Sequence, residues 1–382
     1  MKKICTVSTL SYQINTFLIT PLLYLQSHGY EISIVCGKDD EFSKTLNSDT
    51  KYYPVQIKRG ISIVNALTSI WTLYTLFRKE NYHIVQYTTT NAALYSAIAA
   101  WMAKVPVRIY KQWGIRYVGF TGLKRHIFRV LEKIICLLST DIQPDSFGNL
   151  DLSVSEGLYP KNKGKVIWNG SASGVNLDKF NIEKKKDWRQ EIRAKLMLKP
   201  SELVIGFVGR ITPEKGINEL LSAMKKLLKE EENSKLLIVG WADQADQLDQ
   251  DLLNWAKNSN HVLFCDSTTK VEQYFSAMDI FVLPSYREGF GSVVIEAEAM
   301  ELPVIVTDIP GPREAVVSGE RGLLVKPKSV ESLYEALKKL LNDEPTRIYM
   351  GKNGREFVKN NFDQRELFKK MLELYNGYFN KK

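Results

Sequence analysis

Glu288 and Glu296 lie eight residues apart, and the interval between them opens with Gly289-Phe290-Gly291-Ser292-Val293. Upstream, Asp279-Ile280-Phe281-Val282-Leu283 reads as a buried strand stopped by Pro284-Ser285. Downstream, Ser292 to Met300 has helical spacing and good helix formers. One carboxylate therefore falls on the loop in front of a helix and the other about one turn inside it. A helix start flanked by glycines points backbone N–H groups and the positive end of a dipole at whatever lies before it. That suits a diphosphate. The two glutamates would then accept hydrogen bonds from hydroxyls on either side of it, and a sugar nucleotide has that layout: sugar, diphosphate, ribose.

A second cluster, Val208-Gly209-Arg210-Ile211-Thr212-Pro213-Glu214-Lys215-Gly216, follows a strand at the kind of place where open α/β sheets bind ligands. Arg210 and Lys215 there can hold a diphosphate and balance its negative charge. On spacing alone, an exposed turn with ordinary surface cations is the competing reading.

The elements that must carry these residues alternate between strand and helix. In the first half, strands are expected at 4–8, 31–36, 84–87, 107–110 and 150–154, with helices at 16–28, 63–79, 91–103 and 124–138. The second half repeats the theme at 204–208, 217–231, 235–239, 245–258, 261–264, 270–277 and 279–283. This alternation predicts parallel sheets covered by helices on both faces. A chain of 382 residues is long for one core, so two domains are expected. The loop after the first strand, Thr9-Leu10-Ser11-Tyr12-Gln13, lacks the glycine fingerprint of a dinucleotide site.

Composition narrows the partners. Residues 1–180 carry 21 Lys+Arg against 12 Asp+Glu, while residues 181–382 carry 31 of each, so the whole net charge of +9 lies in the first half. Such an excess attracts anionic surfaces or substrates. No nucleic-acid-binding signature accompanies it, so nucleic acid is not expected as a partner. The four cysteines, Cys5, Cys36, Cys136 and Cys265, are widely separated and predict reduced, buried thiols and no metal site. Asp249-Gln250-Asp251, in the acidic run 243–251, has a spacing that can hold a metal, but reads better as the solvated start of a helix. No apolar run is long enough for a spanning helix, and the N-terminus reads as a first core strand in a cytoplasmic protein.

With Ala297-Glu298-Ala299-Met300-Glu301-Leu302-Pro303 continuing it, the Glu288–Glu296 stretch resembles the Glu-x7-Glu signature of the retaining family 4 glycosyltransferases. The Gly209–Gly216 segment is similar to the family's second signature. Asn169-Gly170 with Gly174-Val175-Asn176-Leu177-Asp178-Lys179-Phe180 is similar to the segment before its interdomain linker. The wording at 285–291 resembles bacterial enzymes of capsule and lipid-linked glycan assembly. The resemblance implies a GT-B fold, with two Rossmann-like domains facing across a cleft. Residues 1–170 would bind the acceptor, 171–362 the nucleotide-sugar, and 363–382 would form a helix crossing back to the first domain. It implies catalytic roles for Glu288, Arg210 and Lys215, with Glu288 near the reacting carbon. Glu296 would hold the ribose hydroxyls, and Gly209, Gly289, Phe290, Gly291, Ser292 and Val293 would complete the nucleotide-sugar site. No cofactor and no metal are required. The donor expected is a UDP-N-acetylhexosamine or related UDP-sugar. The acceptor expected is a polyprenyl-diphosphate-linked saccharide in capsule, exopolysaccharide or O-antigen assembly.

The first half departs from that family pattern. Family histidines are replaced at Ile84-Val85-Gln86 and at Lys111-Gln112-Trp113-Gly114, and His28, His83, His126 and His261 read as surface or element-end residues. Gln86 and Trp113 are candidate substrate contacts, and Arg116 a candidate for an acceptor phosphate. On 122–135, Lys124, Arg125, Arg129 and Lys133 share a helix with Ile127, Phe128, Leu131, Ile134 and Ile135. This pattern fits either a helix lying on an anionic membrane surface or one packed on the sheet. A UDP-sugar 2-epimerase of the same architecture and a non-catalytic glycan-binding protein are the alternatives to a transferase.

Overall fold

The computed structural model describes residues 2–58, 60, 62–243 and 245–380. The chain forms two compact units, Met1–Ser173 with Arg365–Lys382, and Gly174–Gln364.

The first unit holds β1 (Lys2–Val7), β2 (Tyr30–Cys36), β3 (Lys51–Pro54), β4 (Ile84–Tyr87), β5 (Val107–Gln112) and β6 (Asp141–Pro144). They pair in the order β3-β2-β1-β4-β5-β6, all parallel. The second unit holds β7 (Leu203–Val208), β8 (Ser234–Val239), β9 (Val262–Cys265), β10 (Ile280–Leu283), β11 (Val304–Thr307) and β12 (Gly322–Val325). Their order is β12-β11-β10-β7-β8-β9, again all parallel. Counted from its own first strand, each sheet runs 3-2-1-4-5-6, the doubly wound Rossmann order. The direction of strand addition reverses between β1 and β4 in one unit and between β7 and β10 in the other.

Strands buried on both faces read as continuous apolar runs, and Ile280-Phe281-Val282-Leu283 is buried throughout. In the second unit, β7, β8, β10 and β11 share one core with helices such as Ile217–Leu227 and Val330–Leu341. Each fully buried Leu, Ile or Phe there contributes about 1.5–3 kcal/mol relative to exposure. In the first unit, the Gln364–Asn380 helix lays Leu367, Phe368, Met371, Tyr375 and Tyr378 into the core of β1, β2, β4 and β5. Lys2 Nζ and Tyr30 Oη tie it down by donating to Asn376 at 2.6 and 2.9 Å.

One expected strand is a helix. Leu150-Asp151-Leu152-Ser153-Val154 alternates like a strand, yet it lies within the Phe147–Ser155 helix. The Ser146 hydroxyl accepts from Asn149 N–H and caps that helix, and Asn149, Leu150 and Ser153 form its buried face at helical spacing. The sixth strand is Asp141–Pro144, only four residues long, with Ile142 its one aliphatic side chain and a proline at its end. β3, too, escapes the sequence pattern because it is a four-residue edge strand whose residues are half-buried or exposed. The expected 245–258 helix begins at Gln250, where the Asp249 carboxylate accepts from Asp251 and Leu252 N–H. Gln244 of that acidic run lies outside the described residues.

Candidate active site

The loops after β7 and β10 emerge side by side where the second sheet reverses, the crevice in which open α/β sheets hold ligands. Gly216 brings them together. Its φ is +71°, and a Cβ there would lie 2.1 Å from the Pro284 carbonyl oxygen. Only glycine allows that conformation and that approach. Tyr286 N–H donates to the Glu214 carbonyl at 2.9 Å and fixes the register of the two loops.

The result is a dense charge cluster. Lys215 Nζ donates to Glu288 Oε1 at 2.5 Å, both side chains being mostly buried. Arg210 is shared between Glu214 Oε1 at 2.6 Å and Asp243 Oδ2 at 2.9 Å. Arg287 donates to the other Glu214 oxygen at 2.9 Å. Burial works against the charge of Glu214, but Arg287 and Arg210 outweigh it and hold the carboxyl below its ordinary value. Arg210 and Lys215 are thus both paired with carboxylates. Nothing about Glu214, Asp243 or Arg287 alone singles them out in the sequence; only the folding of three separated segments onto one strand edge does.

The Ser292–Ala299 helix starts at Gly291, whose φ of +80° turns the chain from the Glu288 loop into the helix. Gly289 and Ser292 flank that turn, and Val293 is half-buried against the core. Phe290 differs from its expected place. Its ring is 1% exposed and packs on Phe362 at a centroid distance of 5.1 Å, so it anchors the turn from the core side. Gly209 follows β7 directly, its N–H donating to Val239 O at 3.0 Å.

Glu296 sits one turn into the helix. Burial pushes its carboxyl up to about 7, with Lys179 opposing and Glu272 adding to the rise. Lys179 Nζ lies 3.7 Å from Glu272 Oε2. Both residues lie outside the expected site. Glu298, two residues on, has no exposure and packs toward Arg321 at 3.9 Å on the core side. It belongs to the fold, not to the site.

In the first unit, Gln86 is a core residue. Its Nε2 donates to Thr6 Oγ1 at 2.7 Å, and its Oε1 accepts from Tyr375 Oη. Trp113 packs edge-on against Phe17 at 5.8 Å, Gly114 turns with φ +81°, and the Arg116 guanidinium lies 5.0 Å from the Phe128 ring centroid. His83 stacks on Phe379 at 4.1 Å. The Gly122–Leu138 helix has two faces. Glu132, Ile135 and Cys136 are buried, while Leu123, Ile127, Val130 and Leu137 form an exposed stripe. Two of its four cations are tied down, since Arg125 and Arg129 pair with Glu156 at 2.7 and 3.1 Å. No described helix is long and apolar enough to cross a membrane.

Two family descriptions match the chain: Glycosyl transferase 4-like over residues 3–143 and Glycosyl transferases group 1 over residues 189–357. The Staphylococcus aureus capsular polysaccharide biosynthesis glycosyltransferase CapM is 33% identical over 356 residues, covering 93% of this chain and 92% of that protein. An Escherichia coli UDP-Gal:alpha-D-GlcNAc-diphosphoundecaprenol alpha-1,3-galactosyltransferase is 26% identical, covering 92% and 90%. Among solved structures, sucrose-phosphate synthase from Thermosynechococcus elongatus superposes with a TM-score of 0.81 at 21% identity, each chain covered completely, which establishes the shared fold.

Proposed function

The chain belongs to the group 1 glycosyltransferase family, with the two Rossmann-like units of the GT-B fold, and from that premise we propose a specific reaction. It moves the sugar of a UDP-N-acetylhexosamine or related UDP-sugar to a polyprenyl-diphosphate-linked saccharide, with retention of configuration. The observation that carries this reading is the Lys215–Glu288 pair at 2.5 Å, set where the second sheet reverses and beside the start of the Ser292–Ala299 helix.

The chemistry follows from the residues. The bond between the sugar's anomeric carbon and the diphosphate oxygen breaks, and negative charge collects on the leaving diphosphate. Lys215 and Arg210 supply the balancing positive charge without a metal, because both stand on the loop beyond β7. The acceptor hydroxyl bonds to the same face of the anomeric carbon and gives its proton to the leaving phosphate oxygen. Glu288, held by Lys215, faces the sugar near the reacting carbon. Glu296 accepts from the ribose hydroxyls.

The named donor and acceptor of the E. coli relative support the UDP-sugar and lipid-linked acceptor, and the S. aureus relative supports capsule assembly. A lipid-linked acceptor also fits the exposed Leu123, Ile127, Val130 and Leu137 stripe, which Lys124 and Lys133 border. In this reading the stripe rests on an anionic membrane surface. Incubation with labelled UDP-sugars, with and without a polyprenyl-diphosphate saccharide, tests the reaction. Acceptor-dependent transfer is expected; epimerisation of the free nucleotide-sugar, or no turnover with any combination, would overturn it.

A further inference from the structure

β5 ends at the carboxyl edge of the first sheet, and its last two side chains point to opposite faces. Gln112 turns into a closed network. It donates to Glu132 Oε1 at 2.8 Å and accepts from Tyr159 and Ser153 at 2.7 and 3.1 Å. Lys111 turns the other way and is 7% exposed. Among the described residues its amine has no hydrogen-bond or ion-pair partner, and it lies 5.5 Å from the Tyr375 ring centroid.

Lys111 lines a cavity of about 30 Å³, room for roughly one or two water molecules or one small polar group. Gln86, Gln143 and Ser171 line it with Lys111, and Leu22 and Met371 contribute to its apolar wall. Among the described residues, no acidic side chain lines it. Gln143 Oε1 is itself buried and has no hydrogen-bond partner among the described residues. A buried lysine without a counter-charge costs free energy, and an arriving anion would remove that cost.

We propose that this cavity is a subsite for an oxyanion, a carboxylate, phosphate or sulfate group, with the Lys111 amine as the charge it meets. Burial also pushes the Lys111 amine down to about 7, so near neutral pH the empty site is partly uncharged and binding an anion draws in a proton. The other titratable groups on neighbouring elements do not supply that proton. Burial raises Tyr375 and Tyr378 well above their ordinary values. Asp141 on β6 is occupied by Lys165 and Tyr378, both at 3.1 Å.

The test is calorimetry on the full chain with sulfate and with hexyl sulfate, neither of which titrates near neutrality, in two buffers of different ionisation enthalpy. UDP is kept saturating, and its binding is measured first in each variant. Loss of UDP binding would fault the donor-site reading in the second unit, not this one. Anion binding is expected with proton uptake, the affinity falling roughly tenfold per pH unit above about 7. Lys111→Met should weaken binding tenfold or more and abolish the proton uptake. Lys111→Arg, which stays charged, should bind without proton uptake. Tighter binding of hexyl sulfate assigns the anion to a ligand with an apolar tail, and equal affinities assign it to a free ion; either supports the subsite. Binding of neither anion, or binding that Lys111→Met leaves unchanged, would overturn it.

Discussion

Lys215 and Glu288 are 73 positions apart in the chain and meet at 2.5 Å. The loop beyond β7 supplies one and the loop beyond β10 the other, so the pair exists only because these strands are neighbours at the point where the sheet reverses. In the proposed reaction both residues face the charge redistribution of glycosyl transfer, so their loss should appear in turnover first. Lys215→Ala and Glu288→Gln are each expected to lower kcat by about 10²-fold, roughly 3 kcal/mol, with a smaller effect on UDP affinity. Steady-state kinetics with saturating donor and calorimetry with UDP check this.

Glu296 gives a binding prediction with a pH signature. Glu296→Ala should weaken UDP by roughly 2–3 kcal/mol, the scale of hydrogen bonds to a charged acceptor. Because its carboxyl is pushed up to about 7, the carboxylate proposed to accept from ribose forms as pH rises through that value. UDP affinity should therefore contain a component that increases from pH 6 to pH 8 and disappears in Glu296→Gln. An identical pH profile in the two proteins would remove Glu296 from the nucleotide site.

The sign for stability is opposite. The folded Glu296 carboxyl binds its proton more tightly than the unfolded one, so it lowers stability as pH rises from the ordinary carboxyl range through about 7. Glu296→Gln should raise the unliganded melting temperature at pH 8 more than at pH 5. Thermal denaturation at both values decides it.

Gly216 predicts a coupled loss. A methyl group there would press on the Pro284 carbonyl at 2.1 Å while forcing φ +71° on an L-residue. Gly216→Ala should destabilise the second unit by about 2 kcal/mol or more and separate Lys215 from Glu288, lowering kcat at temperatures where the chain remains folded. A variant with normal turnover would show that the loop contact does not position the pair.

The outward stripe yields a membrane prediction. Replacing Leu123 and Ile127 with Ser, and Lys124 and Lys133 with Gln, should release the protein from phosphatidylglycerol vesicles in flotation while UDP binding persists. Arg125→Gln and Arg129→Gln should matter less, because Glu156 already pairs with both. High salt should mimic the loss if charge dominates.

Much of this was legible in the residues. The two sheets follow from the strand–helix alternation, and the Arg210, Lys215, Glu288 and Glu296 positions stand out by type and spacing beside glycine turns. What pairs with them was not legible. Asp243 reaches Arg210, and Lys179 and Glu272 surround Glu296, through tertiary folding that leaves no local pattern. Leu150–Val154 misleads because five residues alternate by chance inside a helix that Ser146 caps. The burial of Lys111 leaves no local signal either, since it follows from its place at the carboxyl end of β5.

The configuration of the transferred sugar tests the central claim most directly. The product formed from a UDP-sugar and a polyprenyl-diphosphate saccharide is isolated, and its new anomeric centre is read by proton NMR against the donor. Retention of the donor's configuration in an acceptor-linked product, lost in Lys215→Ala, is the predicted result. An inverted centre, or release of free sugar and UDP without an acceptor-linked product, would contradict it.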